Sequence, residues 1–378
     1  MLGRLRERRF RASQSELLRK HAQWQVLVGA ILASNVAAAG PVKITATGRL
    51  HLDYAYHKSD VAQFDNRAMV RRAQFGVEAK YRHNWSAKVV YDLASGGSLK
   101  DSYLRYSGWT YATIIVGQYK VPFGLEQLSS TNDLTFIERS LASEAFTLSR
   151  RKGIGFETQS GHHTFSAMRF TSSIGGGGGQ GVAARFTYAP VDDDETVVHF
   201  GLAATAERPT GAVNLGARPE SLPTDPRLVK TGNLQGFTRV SQLGVEAAWQ
   251  DGPLSLQAEW MDSYLSPGPG APDANFKGWY VAGSWILTGE SRDYHEGVFK
   301  DITSDRPAGA WEIAMRFSRL DLDHGLVLGG KEDNLTLGVN WYFRDYARVM
   351  ANYIKVKSDR RGISDNPTIA AVRVQFAF

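Results

Sequence analysis

The chain of 378 residues has no cysteine, which excludes a disulfide framework and any thiolate metal site. It also lacks any run of the roughly 18–20 unbroken apolar residues that a membrane-spanning helix requires. A helical membrane protein is excluded. A bulk charge of one sign is missing too. The formal net charge is +6, but residues 1–39 alone hold seven basic residues (Arg4, Arg6, Arg8, Arg9, Arg11, Arg19, Lys20) against Glu7 and Glu16. The remaining chain is balanced, with 37 basic and 36 acidic residues. Bulk basicity therefore gives no ground for nucleic-acid binding, and no nucleic-acid partner is expected.

What is present begins with an export pattern. A basic head runs to Lys20, the apolar stretch Val26–Ala33 follows, and Asn35-Val-Ala-Ala-Ala39 leads to Gly40. Small residues at Ala37 and Ala39 suit cleavage before Gly40. Residues 1–39 are read as a signal peptide and 40–378 as one exported domain.

From Val42 onward the dominant period is two. Leu335, Leu337, Val339, Trp341 and Phe343 share one face, while Asn334, Thr336, Gly338, Asn340 and Tyr342 share the other. Trp311, Ile313, Met315 and Phe317 oppose Glu312, Ala314, Arg316 and Ser318, and Val372, Val374 and Phe376 oppose Arg373 and Gln375. This is the period of a sheet with one apolar and one polar face. The segments run about 9–14 residues, longer than the usual strand of about 5–6 and suited to a tilted membrane crossing of about 9–11. Aromatics recur near their ends (Trp85, Tyr91, Trp249, Trp260, Trp285, Trp341), as interfacial girdles require.

Sixteen such strands can be placed, and a bilayer demands that they close, because an open edge would leave backbone groups unpaired in hydrocarbon. The expected fold is all-β: a 16-stranded antiparallel transmembrane β-barrel. Short connections such as His83-Asn84, Asp251-Gly252 and Arg344-Asp345 alternate with long ones at 120–151, 208–235 and 265–274, which are expected to face outward. Residues 289–307 are long where a short turn is expected. Lys120–Arg151 carries Glu126, Asp133, Glu138, Arg139 and Glu144. A loop of that length is usually functional, and folded inward it would narrow an otherwise wide aqueous barrel. The chain ends on Phe378, which looks like the recognition signal of outer-membrane barrels.

The sequence resembles the phosphate-selective porins O and P. The likeness spans the mature chain and is carried by Val70-Arg-Arg-Ala-Gln-Phe-Gly-Val-Glu-Ala-Lys80, Val116-Gly-Gln-Tyr-Lys-Val-Pro-Phe-Gly-Leu-Glu126 and Phe136-Ile-Glu-Arg-Ser140. Gly283–Ser291 and Gly309–Ser318 add to it. The resemblance implies a trimeric channel of the Gram-negative outer membrane, with a basic ladder leading anions to a narrow site and the loop after the fifth strand folded into the lumen. Its implied partners are small phosphate-like anions, outer-membrane lipid and lipopolysaccharide, and the barrel-assembly machinery acting through Phe378.

The sharpest candidates are Arg71 and Arg72, since guanidinium groups bind oxyanions bidentately. Strict alternation puts Arg72 on the lumen face and Arg71 among Met69, Phe75 and Val77. An arginine facing mid-bilayer lipid costs about 2–4 kcal/mol, so Arg71 is expected near the rim or turned inward by a bulge. Arg49, Arg105, Lys120 and Arg139 complete the anion-binding set. Arg169, Arg185, Arg316 and Arg373 also fall on faces read as polar. Asp53, Asp92, Asp101, Glu246, Glu259 and Glu312 are acidic lumen candidates that argue against a uniformly positive pore and leave a general, non-selective porin as the alternative. No Ser, His and carboxylate stand in a catalytic motif. No enzyme activity, cofactor or metal is expected.

Overall fold

Strands with one apolar and one polar face have a single way to satisfy both in a membrane, a closed ring with the polar face inside. The computed structural model describes residues 41–378 apart from Ala271, Asp305, Arg344 and Asp345. The segment 1–39 read as a signal peptide and the Arg344-Asp345 turn lie outside the described residues.

The ring has sixteen strands: β1 (Val42–Lys58), β2 (Arg67–Tyr81), β3 (Trp85–Asp92), β4 (Ser98–Tyr106), β5 (Thr113–Lys120), β6 (Arg150–Ser160), β7 (His163–Phe170) and β8 (Gln180–Asp192). The second half comprises β9 (Thr196–Arg208), β10 (Phe237–Asp251), β11 (Leu254–Pro267), β12 (Ala274–Ile286), β13 (Ala310–His324), β14 (Val327–Phe343), β15 (Ala347–Arg360) and β16 (Thr368–Ala377). Each pairs antiparallel with its neighbours in sequence, and β16 closes the ring on β1 from Arg49↔Ala377 to Lys58↔Thr368. The outer face exposes Leu335, Leu337, Val339, Met315 and Val182. Aromatic pairs gather at the end that carries Pro41 and Phe378: Trp311 stacks on Trp341 at 5.8 Å between centroids, and Trp85 lies 4.5 Å from Tyr106. This end is called the lower end. Phe378 exchanges backbone hydrogen bonds with Gly48 (3.0 and 2.9 Å). Its ring covers Gly48 so closely that a Cβ there would meet it at 2.2 Å.

Among the described residues α-helix is confined to two short pieces of the loop between β5 and β6, α1 (Leu125–Leu128) and α2 (Leu141–Phe146), with a single 3-10 turn at Ala94–Gly96 between β3 and β4. The Ser140 hydroxyl caps α2 by accepting from the Ser143 amide. This loop lies inside the barrel, as expected from the sequence. Two others do as well, which corrects the outward placement of 208–235. The upper connection 209–236 turns in, burying Leu215, Leu222 and Val229. The long lower connection 287–309 turns in from the opposite end, burying Phe299 and Ile302.

These three segments meet the wall in apolar clusters. Phe123, Leu141 and Phe146 pack with Leu215 and Val229 against Met261, Phe276 and Leu320. Ile137 and Leu222 pack on Met350, Ile354 and Ile369, and Leu125 meets Phe299. The hydrophobic core thus sits inside the ring, between the loops and one side of the wall.

Candidate functional site

The neck is built where the loop 121–149 crosses the lumen. A bulge supplies its first two cations. The β1–β2 register steps from His51↔Arg72 to Leu52↔Val70, which leaves Arg71 without a ladder partner. Both arginines therefore reach inward, which resolves the alternation conflict. Arg71 donates to both carboxylate oxygens of Glu138 (2.6 and 3.1 Å). Arg72 lies 3.7 Å from Glu138 and 3.3 Å from His51 Nδ1. Arg373 also donates to Glu138 (2.9 Å) while gripping Asp53 with two bonds of 2.7 Å. Burial alone would push the Glu138 carboxyl up, but Arg71, Arg72 and Arg373 hold it well below the usual carboxylate range. Three guanidiniums share two carboxylates, so this cluster keeps one surplus positive charge.

Arg139 and Lys120 grip one stretch of backbone from two sides. Arg139 donates to the carbonyls of Glu126 (3.0 Å), Gln127 (3.3 Å) and Ser129 (3.1 Å). Lys120 Nζ donates to those of Leu128 (2.8 Å) and Ser129 (2.9 Å). Arg49 donates to the hydroxyls of Thr131 (2.7 Å) and Ser130 (3.4 Å). Among the described residues none of these three cations has a carboxylate partner. Burial lowers the Arg139 pKa from its ordinary value against the pull of Glu126 and Glu138, yet an arginine stays charged.

Arg139 borders a cavity of about 250 Å³ on its upper side with Arg71, Arg218, Glu138, Glu144 and Ser143. Lys120 borders one of about 440 Å³ with Arg105, Glu157 and Lys300 on its lower side. The shared Ser129 carbonyl lies between them.

Five of the six candidates, Arg49, Arg71, Arg72, Lys120 and Arg139, gather at this neck. Arg105 does not. It stands in the lower chamber, 3.2 Å from Glu157 and 3.7 Å from Glu296. Arg169 is on the outer face, between the exposed Ile154 and Val182 in register, which corrects its assignment to the polar face. Sequence reasoning missed Arg150, which pairs across the strands with Lys120 and binds Asp101 bidentately at 2.7 and 2.9 Å. The Arg150-Arg151 doublet, repeating the pattern of Arg71-Arg72, was the available signal.

The acidic candidates are occupied. Glu246 takes Arg185 (2.6 Å) and Glu312 takes Arg292 (2.6 Å). Glu259 accepts the Leu125 and Glu126 amides that open α1 (2.8 Å each). Glu126 in turn meets Arg316 (2.8 Å), which also binds the buried Glu220 of the 209–236 loop (2.7 Å). Among the described residues no group of three metal-ligating side chains occurs.

A closed sixteen-stranded barrel with a polar lumen narrowed by an inward loop is a porin. The family profile described as "Phosphate-selective porin O and P" matches residues 44–378. The chain belongs to that family, and it is an outer-membrane anion channel. Porin O of Pseudomonas aeruginosa is 27% identical over 371 residues, covering 83% of this chain and 82% of the relative. Among solved structures, the anion-selective porin from Comamonas acidovorans superposes with a TM-score of 0.61 at 13% identity, covering 89% of this chain and 100% of that one. The trimer form of OmpT from Vibrio cholerae gives 0.57 at 12% identity, covering 89% and 99%. These likenesses are of fold.

Proposed function

We propose that small oxyanions, phosphate or polyphosphate foremost, diffuse through this neck by passing from Arg139 to Lys120. Arg49, Arg71 and Arg72 supply the surrounding positive field, and Arg105 receives the ion below. The observation that carries the reading is the set of three cations, Arg49, Lys120 and Arg139, that bond only to carbonyls and hydroxyls. A carbonyl can be exchanged for an anionic oxygen without stranding a buried carboxylate. In a narrow lumen the effective dielectric falls below that of water, so a few fixed charges dominate. Charge-assisted hydrogen bonds of about 1.5–3 kcal/mol each support weak, reversible binding. Release requires it to stay in the millimolar to micromolar range, about −4 to −8 kcal/mol.

The upper end then faces the exterior and the lower end the periplasm. Residues 1–39 are removed before Gly40 on export, and the mature barrel is a homotrimer surrounded by outer-membrane lipid and lipopolysaccharide. Phe378 is the handle for the assembly machinery, and the protein has no enzymatic role. Single-channel recording in chloride with and without phosphate is the test. Phosphate should inhibit chloride current, and deletion of residues 128–137 should raise conductance. A pore that prefers potassium to chloride overturns the reading and leaves a general porin.

A further inference from the structure

The outer face of the upper rim divides by charge. Over β11–β15 the outward charges are of both signs: Lys331 lies 2.9 Å from Asp321, Arg319 lies 3.5 Å from Asp333, Asp262 stands opposite Lys277 and Lys357 opposite Asp333 in register, while Lys355 faces Leu335. Over β6–β10 the outward charges are cations: Lys152, Arg169, Arg208 and Arg239, all exposed. Among the described residues none of these four has a carboxylate partner. The nearby Glu207 is no substitute, because it points inward, where it is buried and accepts from the Gly179 amide.

The register brings the cations together. Glu207↔Val240 is the uppermost pair of these two strands, and Arg208 and Arg239 are the next residues above it. Gln180 stands opposite Arg208 on its other side, and Arg169 pairs with Val182, two residues below Gln180. Arg169, Gln180, Arg208 and Arg239 rim one groove of about 300 Å³ on the outside of the wall, whose remaining lining is Gly181, Val182, Ala206 and Glu207. Like charges in adjoining positions on neighbouring strands repel. An anion between them removes that repulsion. Immediately below, the wall is aliphatic and aromatic, with Ile154, Val182, Phe186, Leu202 and Leu243 exposed.

We propose that this groove binds the phosphorylated headgroup of an outer-leaflet glycolipid, that is, lipopolysaccharide. Its phosphates sit between Arg169, Arg208 and Arg239, and its acyl chains lie along the apolar wall beneath. Three features select a lipid over a free ion. The cations project from the outer wall rather than into the lumen. They stand at the strand ends, where headgroups lie. The surface continuous with them is apolar. The inference rests on the reading that the upper end faces the exterior, and it is independent of what the neck conducts.

The test uses the full mature barrel folded in detergent, titrated with lipopolysaccharide, with its dephosphorylated form, and with inorganic phosphate. Replacing all three arginines (R169A, R208A and R239A together) should weaken lipopolysaccharide binding by about tenfold to a hundredfold, at roughly a factor of five per surface charge. The triple lysine replacement should retain most of the affinity and so separates lost charge from lost fold. Dephosphorylated lipid should bind wild type no better than intact lipid binds the alanine variant. Millimolar phosphate should fail to compete. Conductance and phosphate block should be unchanged in both variants, so a failure of the channel reading would show in wild type and leave this result apart. Equal binding by the alanine variant overturns the proposal, as does competition by inorganic phosphate, which would make the groove an ion site. Loss of oligomers with lipid binding intact overturns it in favour of a contact between copies of the chain.

Discussion

Two arcs of the wall carry polar side chains on their inner face but use them differently. Along β10–β16 the inward side chains Gln242, Glu246, Glu312, Arg316, Asn334, Asn340 and Arg373 are buried, and Gln242, Glu312, Arg316, Asn340 and Arg373 hydrogen-bond to the inward segments that cover them. Along β2–β6 the inward Gln74, Glu78, Lys88, Arg105 and Glu157 are half-buried at most, so the water-filled path runs down this side. One arc is scaffold and the other is pore. A count of lumen charges therefore says little about selectivity. Asp53, Glu246 and Glu312 are neutralised within the scaffold, whereas Arg139 and Lys120 stand at the boundary with no carboxylate to cancel them.

The comparison breaks most easily at its scaffold side. Arg316→Ala strands Glu126 and Glu220 in a buried site, and losing one partner of such a network costs about 3–5 kcal/mol. The variant should show the largest drop in thermal unfolding temperature and a noisy, widened pore; unchanged stability would mean that the buried arc is not the support. Lys120→Ala or Arg139→Ala should leave stability nearer wild type and weaken phosphate block by about 1.5–3 kcal/mol, roughly tenfold to a hundredfold. Loss of barrel assembly without loss of anion preference in the assembled fraction would make both residues structural.

Cysteine labelling sharpens the division. Asn340 faces the lumen but is covered, donating to the Thr135 carbonyl and to Glu312 (2.9 and 2.8 Å). Lys88→Cys should react with a water-soluble thiol reagent about tenfold faster than Asn340→Cys, whose reaction waits on local opening, and Val339→Cys should be shielded by lipid. Comparable rates at 88 and 340 would contradict the two-arc description.

The smallest effect is in pH. Asp133 on the neck loop is pushed up to about 6 by burial, with Asp301 adding to the shift and Lys300, Arg49 and Arg292 opposing it. A raised carboxyl favours its neutral form in the folded protein. Lowering the pH through 6 therefore removes a negative charge beside the neck and also relieves a folding penalty that is full at higher pH. Anion preference should rise modestly from pH 7 to pH 5, and Asp133→Asn should abolish the change. A variant that titrates like wild type would assign the effect elsewhere.

The sixteen strands were legible because the bilayer enforces period two on every crossing, and their ends fall within a few residues of those expected. What alternation could not carry were places where the lumen face is itself apolar. Ile354, Ile369, Phe276 and Leu320 point inward under the covering loops, and such inward apolar residues were the unread sign that 209–236 and 287–309 turn in. The same cause misplaced Arg169: Met168 and Phe170 face inward against Val121 and Leu148, which sends the arginine out. At the neck, the residue types and the loop were readable, whereas the partners were not. Which guanidinium finds a carboxylate depends on a bulge at Arg71 and on contacts as distant as Arg373 to Glu138.

The long lower connection has a bearing on what the aperture depends on. Arg292 reaches from it to the carbonyl of Asp133 (3.5 Å) and the hydroxyl of Thr135 (3.2 Å). The neck loop is braced besides by Arg49, His51 and Arg71 from strands that precede it and by Glu220, Arg316, Arg348 and Arg373 from the chain that follows it. Both ends of the barrel and both halves of the chain thus converge on one short segment, so the width of the aperture reports whether the whole ring is in place.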